Sequence, residues 1–265
     1  SARSARAARR RGSARSARAA RRRGSARSAR SATQVGSDAE KEAIVGAHPT
    51  RWIITPGSPG SVQNPKLFYL PPTKEQLEKF WLLCLFVAGK TAHIQQGKLQ
   101  LFLNRLAAYF GKDLAGYGPL ECLAAISLDR RAQLIEDSLK EIRAGQYVRL
   151  TAAIVATTKI LPVLYRNDHI QLVRRNFLAD YVPGVGLKTA SFFCMYGHGF
   201  RCAVLDTHIM QHMKEKGRVP AQFSLTPASY QQAEIIFLEM CDEYARSPWD
   251  MDFEIWVARA SSSGI

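Results

Sequence analysis

The stretch from Tyr181 to Met213, "YVPGVGLKTASFFCMYGHGFRCAVLDTHIMQHM", places one amine and one carboxylate where chemistry can be done. Lys188 stands one residue past a Pro-Gly-Val-Gly turn, and Asp206 comes eighteen residues later. Each falls at the start of an expected helix. A lysine amine attacks carbon only when uncharged, and a lone carboxylate stabilises a positive charge developing beside it. Gly184 and Gly186 permit positive φ and close approach of another backbone. The amides of Val185, Gly186 and Leu187 are expected to face outward at a helix N-terminus, a ready site for a phosphate. Plainer readings stand beside these. A Gly-rich turn is an ordinary helix connector, a single lysine is ordinarily a solvated surface charge, and Asp206 can be an N-cap that accepts the amides of His208 or Ile209.

The elements that must position these groups read as helices. The segment "TKEQLEKFWLLCLFVAG" opens on Thr73 as N-cap, with the acid of its first turn as capping-box partner. Helices are then expected at about 91–110, 120–126, 129–143, 148–163, 168–181, 187–197, 207–216, 226–246 and 249–259, with glycines and "GYGPL" as turns. Period-2 alternation is nearly absent, so the body is expected to be all-α. Upstream, "SARSARAARRRG" occurs twice in succession and starts a third time at Ser25. Residues 1–35 are expected to be a disordered Arg/Ser/Ala tail, because they hold no large apolar side chain to build a core. Such a tail reads as a basic nucleic-acid-binding arm, an organelle-targeting peptide or translated repetitive DNA, and the identical repeat favours the last. Residues 36–72 are expected to form an arm packing on the body, and residues 73–265 to form one domain.

Composition sets further bounds. The net charge is +15, but twelve of the 37 basic residues lie in the first thirty positions, leaving 37 − 12 = 25 against 22 acids. The basic balance therefore belongs to the tail, not the body. No apolar run reaches the ~18 residues a membrane span needs, so the chain reads as soluble. Cys84, Cys122, Cys194, Cys202 and Cys241 are odd in number and lack C-x-x-C spacing. They read as reduced thiols of an intracellular protein, not as metal ligands.

"VPGVGLKTA" followed by "AVLDTHI" resembles the helix-hairpin-helix superfamily of DNA glycosylases. "FWLLCLFVAGKTA" is similar to that family's early helix and DNA-facing loop. "DFEIWVARAS" is similar to the closing Asp-x-x-x-Trp helix of the small 8-oxoguanine DNA glycosylases of archaea and bacteria. The resemblance runs over roughly residues 70–260 and is strongest at 181–212. It implies a two-lobed helical fold with the active site between its lobes. It also implies a base-excision enzyme on damaged double-stranded DNA, acting as a monomer, in the cytoplasm of a prokaryote, or in a nucleus or organelle if the tail is real.

On that resemblance Lys188 is the Schiff-base nucleophile at sugar C1′, so the enzyme is also an abasic-site lyase, and desolvation with cationic surroundings is expected to neutralise the amine. Asp206 stabilises the oxocarbenium-like transition state and shares in proton transfer, with His208 beside it as an orienting or helix-packing residue. Gly184, Val185, Gly186 and Thr189 grip the DNA backbone. Lys90, Thr91 and His93 are candidates to fill the gap left by an extruded base. Asp252 and Trp256 are candidates for its pocket, with a helix-dipole role as the rival reading of Asp252. Phe80, Trp81, Phe192, Phe193 and Trp249 are possible neighbours, with core packing the default for the phenylalanines. No cofactor and no catalytic metal are required, and the resemblance admits a monovalent cation on the hairpin carbonyls. The chain lacks the clustered C-terminal cysteines of the iron–sulfur branch, and its pre-helical segment is shorter than the sheet domain of the eukaryotic 8-oxoguanine enzymes. The compact prokaryotic type remains, with oxidised purine as substrate. Oxidised pyrimidines, alkylated bases and a non-catalytic DNA-binding hairpin are the alternatives.

Overall fold

A computed structural model describes residues 72–262 except 112–116 and 167–170. The expected tail of residues 1–35 and nearly all of the expected arm lie outside the described residues. Eleven helices and no strand occur among those described: α1 (Lys74–Val87), α2 (Ala92–Phe110), α3 (Pro119–Ala124), α4 (Leu128–Glu141), α5 (Tyr147–Thr158), α6 (Leu161–Tyr165), α7 (Gln171–Tyr181), α8 (Leu187–His198), α9 (Thr207–Glu215), α10 (Pro227–Glu243) and α11 (Pro248–Ser262).

Local sequence explains most of the boundaries. Thr73 caps α1 in a capping box, but its partner is Gln76, three residues on, and not the Glu75 expected. Only a side chain at that distance folds back onto the N-cap amide. The helix expected over 148–163 is two helices. The chain breaks at Lys159 and Ile160 because Pro162 has no N–H to extend α5 but suits the first turn of α6.

Buried apolar side chains form two clusters. The first is built on α1, whose Phe80, Trp81, Leu82, Leu85 and Phe86 are all 4% exposed or less, and it extends to Phe193 and Cys194 of α8. Trp81 Nε1 donates to Thr157 Oγ1 at 2.9 Å, so the indole carries no unsatisfied donor into this core. The second cluster gathers α9, α10 and α11 around Met213, Tyr230, Phe237 and Met240. Burial also raises the thiol pKa of Cys84, Cys194 and Cys202, which keeps them protonated and apolar.

The segment between α8 and α9 runs between these cores. Phe200, Cys202 and Val204 enter the first cluster, while Ala203 and Leu205 enter the second. That is the period-2 alternation of an extended chain with both faces buried. A buried ion pair fixes the segment. Arg175 Nη1 of α7 meets Glu234 Oε1 and Oε2 of α10 at 2.5 and 2.6 Å, and Glu234 Oε1 also accepts the Ala203 amide at 2.9 Å. Their side chains are only 1% and 7% exposed. Tyr230 adds a second clamp: its hydroxyl donates to Ala203 O at 2.8 Å and accepts Leu205 N at 3.3 Å.

Removing one member of a buried pair leaves the other charge uncompensated. Glu234→Ala is therefore expected to cost about 3–5 kcal/mol of unfolding free energy, read by urea denaturation. Substitution of the exposed acid Asp242, which pairs with exposed Arg201, should cost less than about 1 kcal/mol.

Candidate active site

The hairpin joins α7 to α8 through Val182–Gly186. Val182 and Val185 are buried in the first cluster and anchor the turn. The Val185 amide donates to Val182 O at 3.1 Å, so it closes the turn instead of facing outward as expected. Neither its amide nor its side chain is free for DNA. Gly184 has φ +72°, and a β-carbon there would stand 2.7 Å from Arg149 Cγ and Cδ. Both conformation and packing require glycine. Gly186 is different: its φ is −106° and open space surrounds its missing β-carbon. It caps α8 without any side-chain hydrogen bond. The first-turn amides of α8, from Gly186 to Thr189, thus have no intrahelical acceptor. The amides free of an acceptor are therefore those of residues 186–189, one residue later than the 185–187 expected.

Arg149 is the residue that sequence reasoning missed here. Its Nη2 donates to Leu85 O at 3.0 Å and its Nε to Gln146 Oε1 at 2.8 Å, while its stem packs on Gly184. It ties the hairpin to the end of α1 and the start of α5. A lone arginine in a helical pattern gives no sign of this.

Lys188 is the second residue of α8. Leu187 before it packs on the second cluster and Ala190 after it lies in the first. Asp206 is the N-cap of α9, and its Oδ1 accepts the amides of His208 and Ile209 at 2.8 and 3.0 Å. Its Oδ2 lies 3.8 Å from Lys188 Nζ. One oxygen fixes the rotamer and the other faces the amine. Amine and carboxylate from two helix starts are thereby brought together. The desolvation expected around the amine is not supplied by the protein: the Lys188 side chain is 55% exposed, against 20% for Asp206. Its close charged neighbour is also an anion, not a cation.

Asp252 also belongs to this neighbourhood. It is 8% exposed and accepts a hydrogen bond from the hydroxyl of Tyr196, itself 1% exposed. Burial pushes its carboxyl up to about 7, with the Tyr196 hydrogen bond and the Lys188 charge opposing and the Asp206 charge reinforcing the shift. The helix-dipole reading fails, because Asp250 is the acid of the first turn of α11 and Asp252 is committed to Tyr196. Aromatic rings surround the pair. Tyr196 meets Phe192 edge-on at 5.0 Å and Trp249 at 5.9 Å, and Trp249 stacks on Phe253 at 5.9 Å. The Trp249 indole N–H is buried without an acceptor. Trp256 is half-buried one turn beyond Asp252. Phe80, Trp81 and Phe193 are core residues.

Lys90 and Thr91 are exposed on the tight turn between α1 and α2. Lys90 Nζ would stand 3.9 Å from a β-carbon on Gly145, so this turn and the loop before α5 are neighbours. The side chain of His93 lies outside the described residues. A shallow cavity of about 580 Å³ is lined by Lys74, Glu121, Thr158, Leu161, Pro162, Tyr165 and Arg166. It shares no residue with the Lys188–Asp206 pair; its own amine, Lys74, is exposed and pairs with Glu121 Oε1 at 3.3 Å. No group of three or more His, Cys, Asp or Glu residues among the described residues could hold a metal ion. None of the described helices is long and apolar enough to cross a membrane.

Residues 123–245 match the family model of 8-oxoguanine DNA glycosylase. The 8-oxoguanine DNA glycosylase/AP lyase of Picrophilus torridus is 30% identical over 94 residues, which are 36% of this chain and 44% of that protein. The match thus spans under half the length of that curated relative. The 8-oxoguanine DNA glycosylase of Thermotoga maritima superposes with TM-score 0.50 at 21% identity, over 69% of this chain and 79% of that one. The Methanocaldococcus jannaschii glycosylase/lyase, solved with a 15-mer DNA containing 8-oxoguanine, gives TM-score 0.53 at 17% identity, over 83% and 91%. The fold resembles that of these 8-oxoguanine DNA glycosylase structures.

The Asp252 shift has a consequence for stability. An unfolded aspartate titrates near ~3.9, so between there and about 7 the native state holds the extra proton. Unfolding free energy contributed by this group is full at the acid end and falls as pH rises through that window. Asp252→Asn should flatten that part of the stability–pH curve, measured by thermal or urea unfolding from pH 4.5 to 8.

Proposed function

We propose that this chain, a relative of the helix-hairpin-helix 8-oxoguanine DNA glycosylases, is a bifunctional base-excision enzyme that removes an oxidised purine and then nicks the strand. The observation that carries the proposal is the 3.8 Å approach of Lys188 Nζ to Asp206 Oδ2 beside an uncapped helix N-terminus. The matched family model and the P. torridus relative, both 8-oxoguanine DNA glycosylases by description, support oxidised purine as the substrate class.

The residues divide the work. The α8 N-terminus, with Gly186 and Thr189 at its opening, receives a backbone phosphate. This sets sugar C1′ of an extruded nucleotide against Lys188 and Asp206. Bound DNA, not the protein alone, excludes water from the exposed amine. Asp206, held by its two amide hydrogen bonds, stabilises positive charge developing on the sugar as the base–C1′ bond breaks. The uncharged amine adds to C1′, the base departs with the bonding electron pair and takes up a proton, and the sugar ring opens to the imine. Loss of a proton from C2′ then expels the 3′ phosphate. Asp252 and Trp256 contribute to the base pocket, and Lys90, Thr91 and His93 occupy the gap in the duplex. A monovalent cation on hairpin carbonyls belongs to the same proposal, and none enters the chemistry.

Borohydride reduction with DNA containing an abasic site tests this directly. A covalent adduct is expected with the intact chain and is expected to vanish in Lys188→Ala. No adduct with the intact chain would leave only a DNA-binding hairpin. Asp206→Asn should bind damaged duplex within about threefold of the parent while losing most excision, on the order of a hundredfold for one transition-state charge partner. Duplexes carrying 8-oxoguanine, thymine glycol or 3-methyladenine separate the substrate classes, with preference for the first expected.

A further inference from the structure

Three loops meet at Arg149, a half-buried residue of α5. Its Nη2 donates at 3.0 Å to Leu85 O, a last-turn carbonyl of α1. Such carbonyls lack an intrahelical donor and are open to capping by a cation. That turn of helix leads directly into residues 88–91. Its Nε donates at 2.8 Å to Gln146 Oε1 in the loop before α5. That loop is strained, because Arg143 and Gln146 are non-glycine residues at φ +52° and +48°. Lys98 of α2 holds it through Arg143 O, and Arg149 holds it through the Gln146 side chain. The third contact is the hairpin, where Arg149 Cγ and Cδ fill the place a Gly184 side chain would take. This arrangement is costly for a mere spacer. Both bonds go to uncharged oxygens, burial works against the charge, and Nη1 is buried without an acceptor. An apolar side chain of similar length would pack on Gly184 without those costs. It could not join hairpin, turn and loop through one rigid planar group.

We propose that Arg149 is a positioning residue that couples the hairpin's grip on the DNA backbone to extrusion of the damaged base. The inference rests on the glycosylase reading and deepens it. A phosphate drawn to the α8 N-terminus seats the hairpin. Gly184 bears on the Arg149 stem, and the guanidinium carries that contact to the end of α1 and to Gln146. Coupling of this kind travels through a contiguous chain of packed and hydrogen-bonded groups. Holding a base outside the duplex costs its stacking and pairing. The 88–91 turn can offset that cost only while it is fixed relative to the seated backbone, and Arg149 fixes it. Arg149 therefore acts on extrusion and not on the bond changes at C1′, which belong to Lys188 and Asp206.

Extrusion and chemistry are read separately. Arg149→Met keeps an unbranched stem against Gly184 and removes every donor. Arg149→Lys keeps the charge and one donor group, and it carries the same comparison should the methionine variant fail to fold. Single-turnover excision from an 8-oxoguanine duplex should fall about thirtyfold in Arg149→Met, with Arg149→Lys between it and the parent. The fluorescence rise of a 2-aminopurine next to the lesion, followed by stopped flow, should slow by a similar factor, because that signal reports unstacking before any bond breaks. Borohydride trapping on an abasic site in single-stranded DNA, which has no base to extrude, should change less than about twofold. A fluorescence rise at the parent rate with slow excision would move Arg149 into the chemistry and overturn the proposal. An equal loss of trapping would reduce it to a scaffold residue, and excision within about twofold of the parent would remove its role altogether. Absence of both excision and adduct with the intact chain would overturn the enzyme reading and this inference with it.

Discussion

The Arg175–Glu234 ion pair is the constraint on which the site geometry depends. Two charges with under a tenth of their surface exposed are costly to bury. They persist because one guanidinium nitrogen meets both carboxylate oxygens, because Asn176 Oδ1 takes the other guanidinium donors, and because Glu234 also takes the Ala203 amide. One carboxylate thus fixes three things together: α7, which leads into the hairpin, α10, which backs the second core, and the extended segment that delivers Asp206. Replacing the pair with apolar side chains could preserve stability. It would abandon the hydrogen bond that sets the register of residues 200–205, and so the side on which Asp206 emerges.

From that constraint the arrangement of Lys188 and Asp206 follows by short steps. The extended segment ends at Asp206, where the backbone turns into α9 and needs an acceptor for its first amides. The same carboxylate that satisfies them has an oxygen left over, and that oxygen faces Lys188. Lys188 is placed by the opposite end of the same connection, the start of α8, where Val182 and Val185 lock the hairpin into the first core and Gly184 lets Arg149 pass beneath it. Capping α9 with one oxygen and presenting the other to Lys188 are one job for Asp206, not competing explanations. The exposed amine and the uncapped amides of α8 remain open to a ligand that brings its own phosphate and excludes water.

Much of this was legible in the sequence. Helix starts were clear where Thr73 and the hairpin glycines supply capping or turn chemistry, and Lys188 and Asp206 stood out because each begins a helix beside a turn. Other parts were hidden for physical reasons. The alternation through Cys202, Ala203, Val204 and Leu205 has no polar phase, since a core lies on each side, so no period can be read from it. Pro162 broke a helix that apolar periodicity carried across it. Arg149, Arg175 and Glu234 are single charged residues in helical patterns, where a solvated face is the ordinary expectation; only the fold shows what they meet. The Val185 amide looked free because its acceptor, Val182 O, belongs to turn geometry and not to composition. Asp252 could be named from the resemblance, but its partner Tyr196 lies 56 residues away in the chain.

The central claim is that Lys188 makes the covalent bond to the sugar. The most direct measurement is peptide mapping by mass spectrometry of the borohydride-reduced complex after nuclease and protease digestion. The account predicts a deoxyribose-derived mass addition on the peptide containing Lys188, localised to that residue by fragmentation. The same addition on Lys90 or on another amine, with Lys188 unmodified, would contradict it.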